Sequence, residues 1–202
     1  MKKIMFSDKY GLTEAVLSGR KTQTRRIIPQ PFNEKIIAFQ HQYFEATFDM
    51  LIGIDLLNQY FFIEKIGKLP YQIGEVVAVA QSYKDAGYDF CMSQAAYINK
   101  MFTKAEYMPH RIRITNVRVE RLQDISDEDC VKEGVELNSR QFEYNGQKFY
   151  CVRGLGHWRG IGCDNFNTPR EAYAALIDRI AGKGTWESNP YVFVYDFELV
   201  KS

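Results

Sequence analysis

From Gly19 to Arg26 the chain reads Gly-Arg-Lys-Thr-Gln-Thr-Arg-Arg, so four of eight residues are basic and two are threonines. Threonine hydroxyls can donate and accept hydrogen bonds, and cationic side chains can pair with anions or carbonyl oxygens. Arg20, Arg25 and Arg26 place like charges beside Lys21 and lower its proton affinity. Arg26 can also hold a carbonyl oxygen or a phosphate. On a solvated face the same cations would neutralise the phosphates of a single-stranded RNA instead. A charge run is also an ordinary solvated surface.

Several elements must position these residues. Ser7 to Ser18 reads as a short helix, with Tyr10, Thr13, Val16 and Leu17 on one face and Gly19 at its left-handed end. Lys21 to Ile28 reads as extended, closed by Pro29 and Pro31. Residues three apart on a regular strand point to opposite faces, so Lys21 and Thr24 can meet only if Lys21 lies in the turn before the strand. Ile37 to Tyr43 alternates like a strand, and Met50 to Leu57 fits strand or helix. Ile73-Gly74-Glu75 is a turn leading into a buried strand, Val76 to Ala80. A helix is expected around Ser93 to Phe102. In Arg111 to Leu122 the apolar phase slips at Thr115-Asn116, as a bulge or tight turn requires. Ser126 caps a helix that Gly134 stops, and Asn145-Gly146 marks a hairpin. Thr168-Pro169-Arg170-Glu171 opens a helix with Ala172, Leu176 and Ile180 as its apolar stripe. Tyr191 to Leu199 alternates as a strand. The pattern predicts one α+β domain over residues 1–202, a small β-barrel with flanking helices and insertions near 33–69 and 84–107.

The spacing Gly19-x-Lys21-x-x-x-x-Arg26 after a helix resembles the signature of the ASCH domain family, whose fold is PUA-like. Pro70 to Val77, Arg113 to Ile125, and Trp186 to Glu198 resemble further family segments, the last in the longer, often phage-associated members. The resemblance implies binding of a nucleoside or of an RNA base. One branch, the N4-acetylcytidine amidohydrolases, resembles this chain in having Thr where much of the family has Glu, at Thr24. Their catalytic set of Lys, Thr and Glu implies Lys21 as base, Thr24 as nucleophile and, by its Thr-x-x-Glu context, Glu171 as acid. Glu171 is equally accounted for as a helix-capping glutamate. Gly19, Arg20, Arg25 and Arg26 are the corresponding substrate-binding or RNA-binding set. Many members of the family are proposed to bind RNA or nucleotides, and a non-catalytic RNA-binding module using the basic turn Arg20–Arg26 is the alternative. Val79-Ala80-Gln81 departs from the Val-Arg-Glu common in the longer relatives and removes two charged pocket candidates.

Composition narrows the alternatives. The formal net charge over 202 residues is +1, which excludes a polybasic tail or an acidic disordered chain. Seven bases against two acids in residues 1–28 give +5, whereas six acids against one base in residues 124–136 give −5. That contrast suggests a local basic site cancelled elsewhere on the surface. No apolar run reaches the ~20 residues of a membrane span, and a cytoplasmic protein with reduced thiols is expected. No cofactor is expected. Cys151, His157 and Cys163 lack a fourth ligand and zinc-like spacing. Tyr83 and Tyr107 are candidates for a core, rim or pocket lining. The glycine-rich loop Gly154–Gly162 carries Trp158, which could stack on a base.

Overall fold

The computed structural model describes residues 1–29, 69–89, 94–138, 148–156 and 164–200. Strand β1 (Lys3–Ile4) leads through a 3-10 turn, Asp8–Tyr10, to helix α1 (Leu12–Leu17) and strand β2 (Gln23–Ile27). Strand β3 (Val76–Val79), helix α2 (Gln94–Ile98) and a second 3-10 turn precede the long strand β4 (Arg111–Arg121). Helix α3 (Asp127–Lys132) and strands β5 (Glu136–Leu137) and β6 (Tyr150–Cys151) follow. Helices α4 (Pro169–Ala181) and α5 (Thr185–Ser188) then lead into strand β7 (Tyr191–Val200).

Five strands form one sheet in the order β1-β3-β4-β7-β2. The α+β class therefore stands. The sheet is open among the described residues, with β1 and β2 at its edges, where the sequence pattern had suggested closure into a barrel. Only β1 and β3 run parallel; β3, β4, β7 and β2 pair antiparallel. Five consecutive residues of β7, Tyr191 to Tyr195, are buried, because this strand lies between β4 and β2 with both faces covered.

The phase slip in β4 is a bulge. Register against β7 shifts between Ile114 and Asn116, and the Asn116 side-chain oxygen accepts the backbone N–H of Val117 at 2.9 Å. Before the bulge Ile112 and Ile114 face the core; after it Val117 does. The extra residue thus keeps the apolar side chains on the inside of a long strand.

Both predicted capping sites formed. Ser126 Oγ accepts from the Asp129 N–H and Thr168 Oγ1 from the Glu171 N–H, each at 3.1 Å. Helix α4 buries Ala172, Tyr173, Leu176 and Ile177, while Ile180 is exposed. The apolar stripe therefore leaves the core before the final turn. Segment 84–107 is tied to the N-terminal strand. Lys3 Nζ donates to the carbonyls of Lys100, Met101 and Thr103 at 3.2, 2.6 and 2.8 Å. Lys100 Nζ pairs with Asp8 at 2.8 Å and donates to the Phe6 carbonyl at 2.5 Å. Tyr83, Tyr88 and Tyr107 pack on one another with ring centroids 5.6–5.9 Å apart, as a local cluster of that segment.

Strands β5 and β6 pair on either side of the segment that holds Asn145-Gly146. The turn itself, the Ile37–Tyr43 and Met50–Leu57 elements, and Trp158 with most of its loop lie outside the described residues. Among the described residues no helix is long and apolar enough to cross a membrane.

Candidate active site

The site begins where α1 ends. Gly19 adopts φ +74°, the left-handed turn expected of a helix-terminating glycine. The Lys21 N–H then folds back onto the Ala15 carbonyl at 2.9 Å. Lys21 consequently precedes strand β2, which starts at Gln23. The geometric condition set by the three-residue spacing to Thr24 is met.

The end of α3 receives this turn. The Thr22 N–H donates to the Lys132 carbonyl at 3.1 Å, and Lys21 Nζ donates to the Glu133 carbonyl at 2.8 Å. Both are carbonyls that a helix C-terminus leaves without intrahelical partners. Gly134 makes room for the lysine stem. A Cβ there would lie 3.0 Å from Leu12 Cδ2 and 3.8 Å from Lys21 Cδ. Lys21 is buried, and its Nζ meets Glu133 Oε2 at 2.5 Å with both side chains almost wholly enclosed. Burial drives the lysine's proton affinity below the usual value; the Glu133 carboxylate opposes this, and Arg26 and Arg25 add smaller effects in the same direction as burial. Neighbouring arginines, the cause inferred from sequence, are thus the lesser part.

Alternation along β2 sends Arg25 and Arg26 to opposite faces. The Arg25 side chain has no exposed surface. Its guanidinium pairs with Glu120, with Asp129 at 3.1 Å and with Glu133 at 3.3 Å, and it donates to Gln23 Oε1. Three carboxylates and Gln23 thus occupy the Arg25 donors. Arg20 is partly exposed and pairs with Glu136 at 2.5 Å. The acidic segment 124–136 does not cancel the basic turn from a distance: Asp129, Glu133 and Glu136 meet it directly.

On the other face Arg26 donates to the Met5 carbonyl at 2.5 Å, and its guanidinium carbon lies 5.7 Å from the Phe6 ring centre. Lys21 Nζ lies 5.8 Å from the same ring. Thr24 is buried and stands opposite Tyr195 in the β2–β7 register. Tyr195 packs edge-on against Tyr71 at 5.4 Å. Arg26 Nε and the Tyr195 hydroxyl are buried with no hydrogen-bond partner among the described residues. Phe6 is therefore shared by Lys21 and Arg26, and Thr24 sits on the Arg26 face of the strand.

Glu171 is exposed, and its carboxylate accepts the Asn167 N–H at 3.0 Å at the start of α4. The carboxylate on Lys21 is that of Glu133, which sequence reading passed over. A signal was present: Glu133 lies at the C-terminal end of a helix, where a carboxylate opposes the helix dipole, and Gly134 follows directly. Such a misplaced charge calls for a nearby cation. Gln81, at the Val79-Ala80-Gln81 departure, hydrogen-bonds His110 Nδ1 at 2.8 Å. The Cys130 thiol, near Arg25 and Glu133, is pushed up to about 12 by burial, which leaves it unreactive at neutral pH.

The ion network carries a prediction for stability. Burial alone would raise the proton affinity of Asp129, but hydrogen bonds from Lys132 and Arg25 outweigh it and bring the carboxyl below the ordinary 3.8. Its stabilising contribution is complete above 3.8 and disappears as pH falls through the lower folded-state value. Urea unfolding of Asp129→Asn across the acid range should therefore show a flatter decline than the wild-type chain. An unchanged acid limb would contradict the pairing.

No protein-family model and no curated protein sequence matches the chain. Among solved structures, the crystal structure of an ASCH domain from Lactobacillus crispatus JV V101 is similar at 10% identity. The alignment covers 96% of this chain and 75% of that one, with a TM-score of 0.36.

Proposed function

We propose that the chain is an amidohydrolase acting on an N-acylated nucleoside, with N4-acetylcytidine as the leading substrate. The observation that carries this reading is the enclosed Lys21–Glu133 pair at 2.5 Å, at the start of the strand that bears Thr24. A buried lysine–carboxylate pair can hold its shared proton on either partner, since burial disfavours the two charges together. The resemblance of Gly19, Lys21, Thr24 and Arg26 to the amidohydrolase signature points the same way. Enclosure of Arg25 among carboxylates, and the surface pairing of Arg20 with Glu136, leave fewer free cations in the basic turn for phosphates, which favours a small neutral ligand over a polynucleotide.

In this reading the Lys21 amine accepts the Thr24 Oγ proton as the oxygen attacks the acetyl carbonyl carbon. Glu133 in its protonated form supplies the proton that leaves with N4, so cytidine departs and acetyl-Thr24 remains. Water then attacks that ester, the same pair moves its protons, and acetate leaves. Glu133 thus takes the acid role that the resemblance had attached to Glu171.

Incubation with N4-acetylcytidine, followed by the ultraviolet change on deacetylation, tests the proposal. Cytidine and acetate should form in equal amounts, Thr24→Ala should form neither, and turnover should change little with salt. Absence of cytidine from the wild-type reaction would overturn it. Tight RNA binding that falls steeply with salt, without hydrolysis, would put the RNA-binding module in its place.

A further inference from the structure

We propose that Arg25 is a positioning residue for the candidate base: clamped by Glu120, Asp129 and Gln23, its guanidinium holds one oxygen of Glu133 so that the other is presented to Lys21. The inference rests on the reading of Lys21 as the base. Glu133 is gripped from two sides, with Oε1 on Arg25 at 3.3 Å and Oε2 on Lys21 at 2.5 Å. Its rotamer is therefore set by the position of the guanidinium.

That guanidinium is itself fixed by a closed ring of hydrogen bonds. Arg25 Nε donates to Glu120 Oε1 at 2.9 Å, and NH2 donates to Asp129 Oδ2 at 3.1 Å. Arg118 holds the outer side of both carboxylates, with Glu120 Oε2 at 3.1 Å and Asp129 Oδ2 at 2.8 Å, and it reaches Asp196 at 2.8 Å. Asp196 accepts from Gln23 Nε2 at 2.6 Å, and Gln23 Oε1 accepts from Arg25. The ring joins β2, β7, β4 and α3. Lysine would not replace the arginine, because only a planar fork addresses Glu120, Asp129, Gln23 and Glu133 together.

The charges around the pair can be enumerated among the described residues. Glu133 at the C-cap of α3, Arg25 and Arg26 of β2 and the Phe6 ring face Lys21. Lys21, Arg25, the Tyr173 phenol of α4 and the Cys130 thiol face Glu133. Burial keeps phenol and thiol protonated through the neutral range. Beyond burial and the pairing itself, the remaining charges that bear on the pair are Arg25 and Arg26, with Glu120 and Asp129 as the balancing anions on Arg25.

The test is direct titration of Lys21 by NMR of the chain labelled with carbon-13 at lysine Cε, assigned by the loss of one signal in Lys21→Met. Arg25→Met removes a like charge and should raise the Lys21 titration by about one pH unit, the order supplied by one charge a few ångströms away within protein. Asp129→Asn and Glu120→Gln leave Arg25 less balanced and should lower it. Arg25→Lys keeps the charge without the fork: charge alone would leave Lys21 titrating as in the wild type, whereas loss of the clamp releases Glu133 and lowers the Lys21 titration. If Arg25→Met does not fold, the two isosteric variants decide the matter, and a wild-type titration in both overturns the proposal. The deacetylation assay separates the two readings. A shifted Lys21 without turnover removes the function and keeps the clamp, whereas turnover with an unshifted Lys21 does the reverse.

Discussion

Lys21→Met is expected to abolish deacetylation, with a fall of at least about a thousandfold, the scale of removing a catalytic base and its nucleophile's activation together. Methionine can follow the same apolar path past Leu12 and Gly134 but ends without a proton acceptor. Nucleoside binding should persist, because the lysine donors are occupied by Glu133 rather than directed at solvent. Loss of one partner of an enclosed ion pair destabilises by about 3 kcal/mol, and here Glu133 still keeps its contact with Arg25. The informative companion is Lys21→Arg. Arginine restores the positive charge and the pairing with Glu133 but does not lose a proton in the working range. If charge alone were needed, Lys21→Arg would be active; if a base is needed, it stays as inactive as methionine. Steady-state rates and circular dichroism on the same preparations distinguish inactivity from unfolding. Full activity in Lys21→Met removes Lys21 from the mechanism.

The largest stability effect is expected at Gly154. This residue has φ +74°, and a Cβ built on it would lie 2.2 Å from the Lys9 carbonyl oxygen. That oxygen belongs to backbone and cannot swing away as a side-chain end can. Gly154→Ala must therefore shift the 152–156 segment off the N-terminal 3-10 turn, at about 3 kcal/mol when strain and lost packing combine. Gly19 is the internal control. It has the same φ, +74°, but nothing lies within 4 Å of its Cβ position. Gly19→Ala should then cost only about 1 kcal/mol for the backbone conformation. Chemical denaturation of both variants separates the two components. Equal losses would show that the close approach to Lys9 contributes nothing.

Local signals were the most legible part of the fold. Ser126 and Thr168 announced their helices because capping is decided by neighbours in sequence. The bulge in β4 was visible because one extra residue inverts the inside-outside phase, and Ile114 and Val117 record that inversion. Closure of the sheet was not legible, since it depends on which strand edges meet. Within the candidate site, Lys21, Thr24 and Arg26 were singled out by their resemblance to a family signature. Glu133 was not, because it approaches Lys21 from 112 residues away in the chain. The burial of Arg25 was hidden for a related reason. A basic residue in a charged run looks solvated until its carboxylate partners, which lie on β4 and α3, are known. The opposite charges of residues 1–28 and 124–136 contained that pairing in coarse form, and their complementarity was the clue to follow.

The position of β7 has a further consequence for how the chain reaches this state. It lies beyond every other strand in sequence, yet β2 joins the described sheet only through it, and β4 pairs along its length. Thr24 faces Tyr195 across the β2–β7 ladder, so the strand that carries the nucleophile candidate acquires its place only when a segment 171 residues later arrives. Contacts of such separation must close a long loop before they gain any pairing energy, which slows assembly. During synthesis the N-terminal half therefore waits with an unpaired edge, and the candidate site matures last. A chain interrupted ahead of Tyr191 would lose the middle of its sheet rather than an end of it.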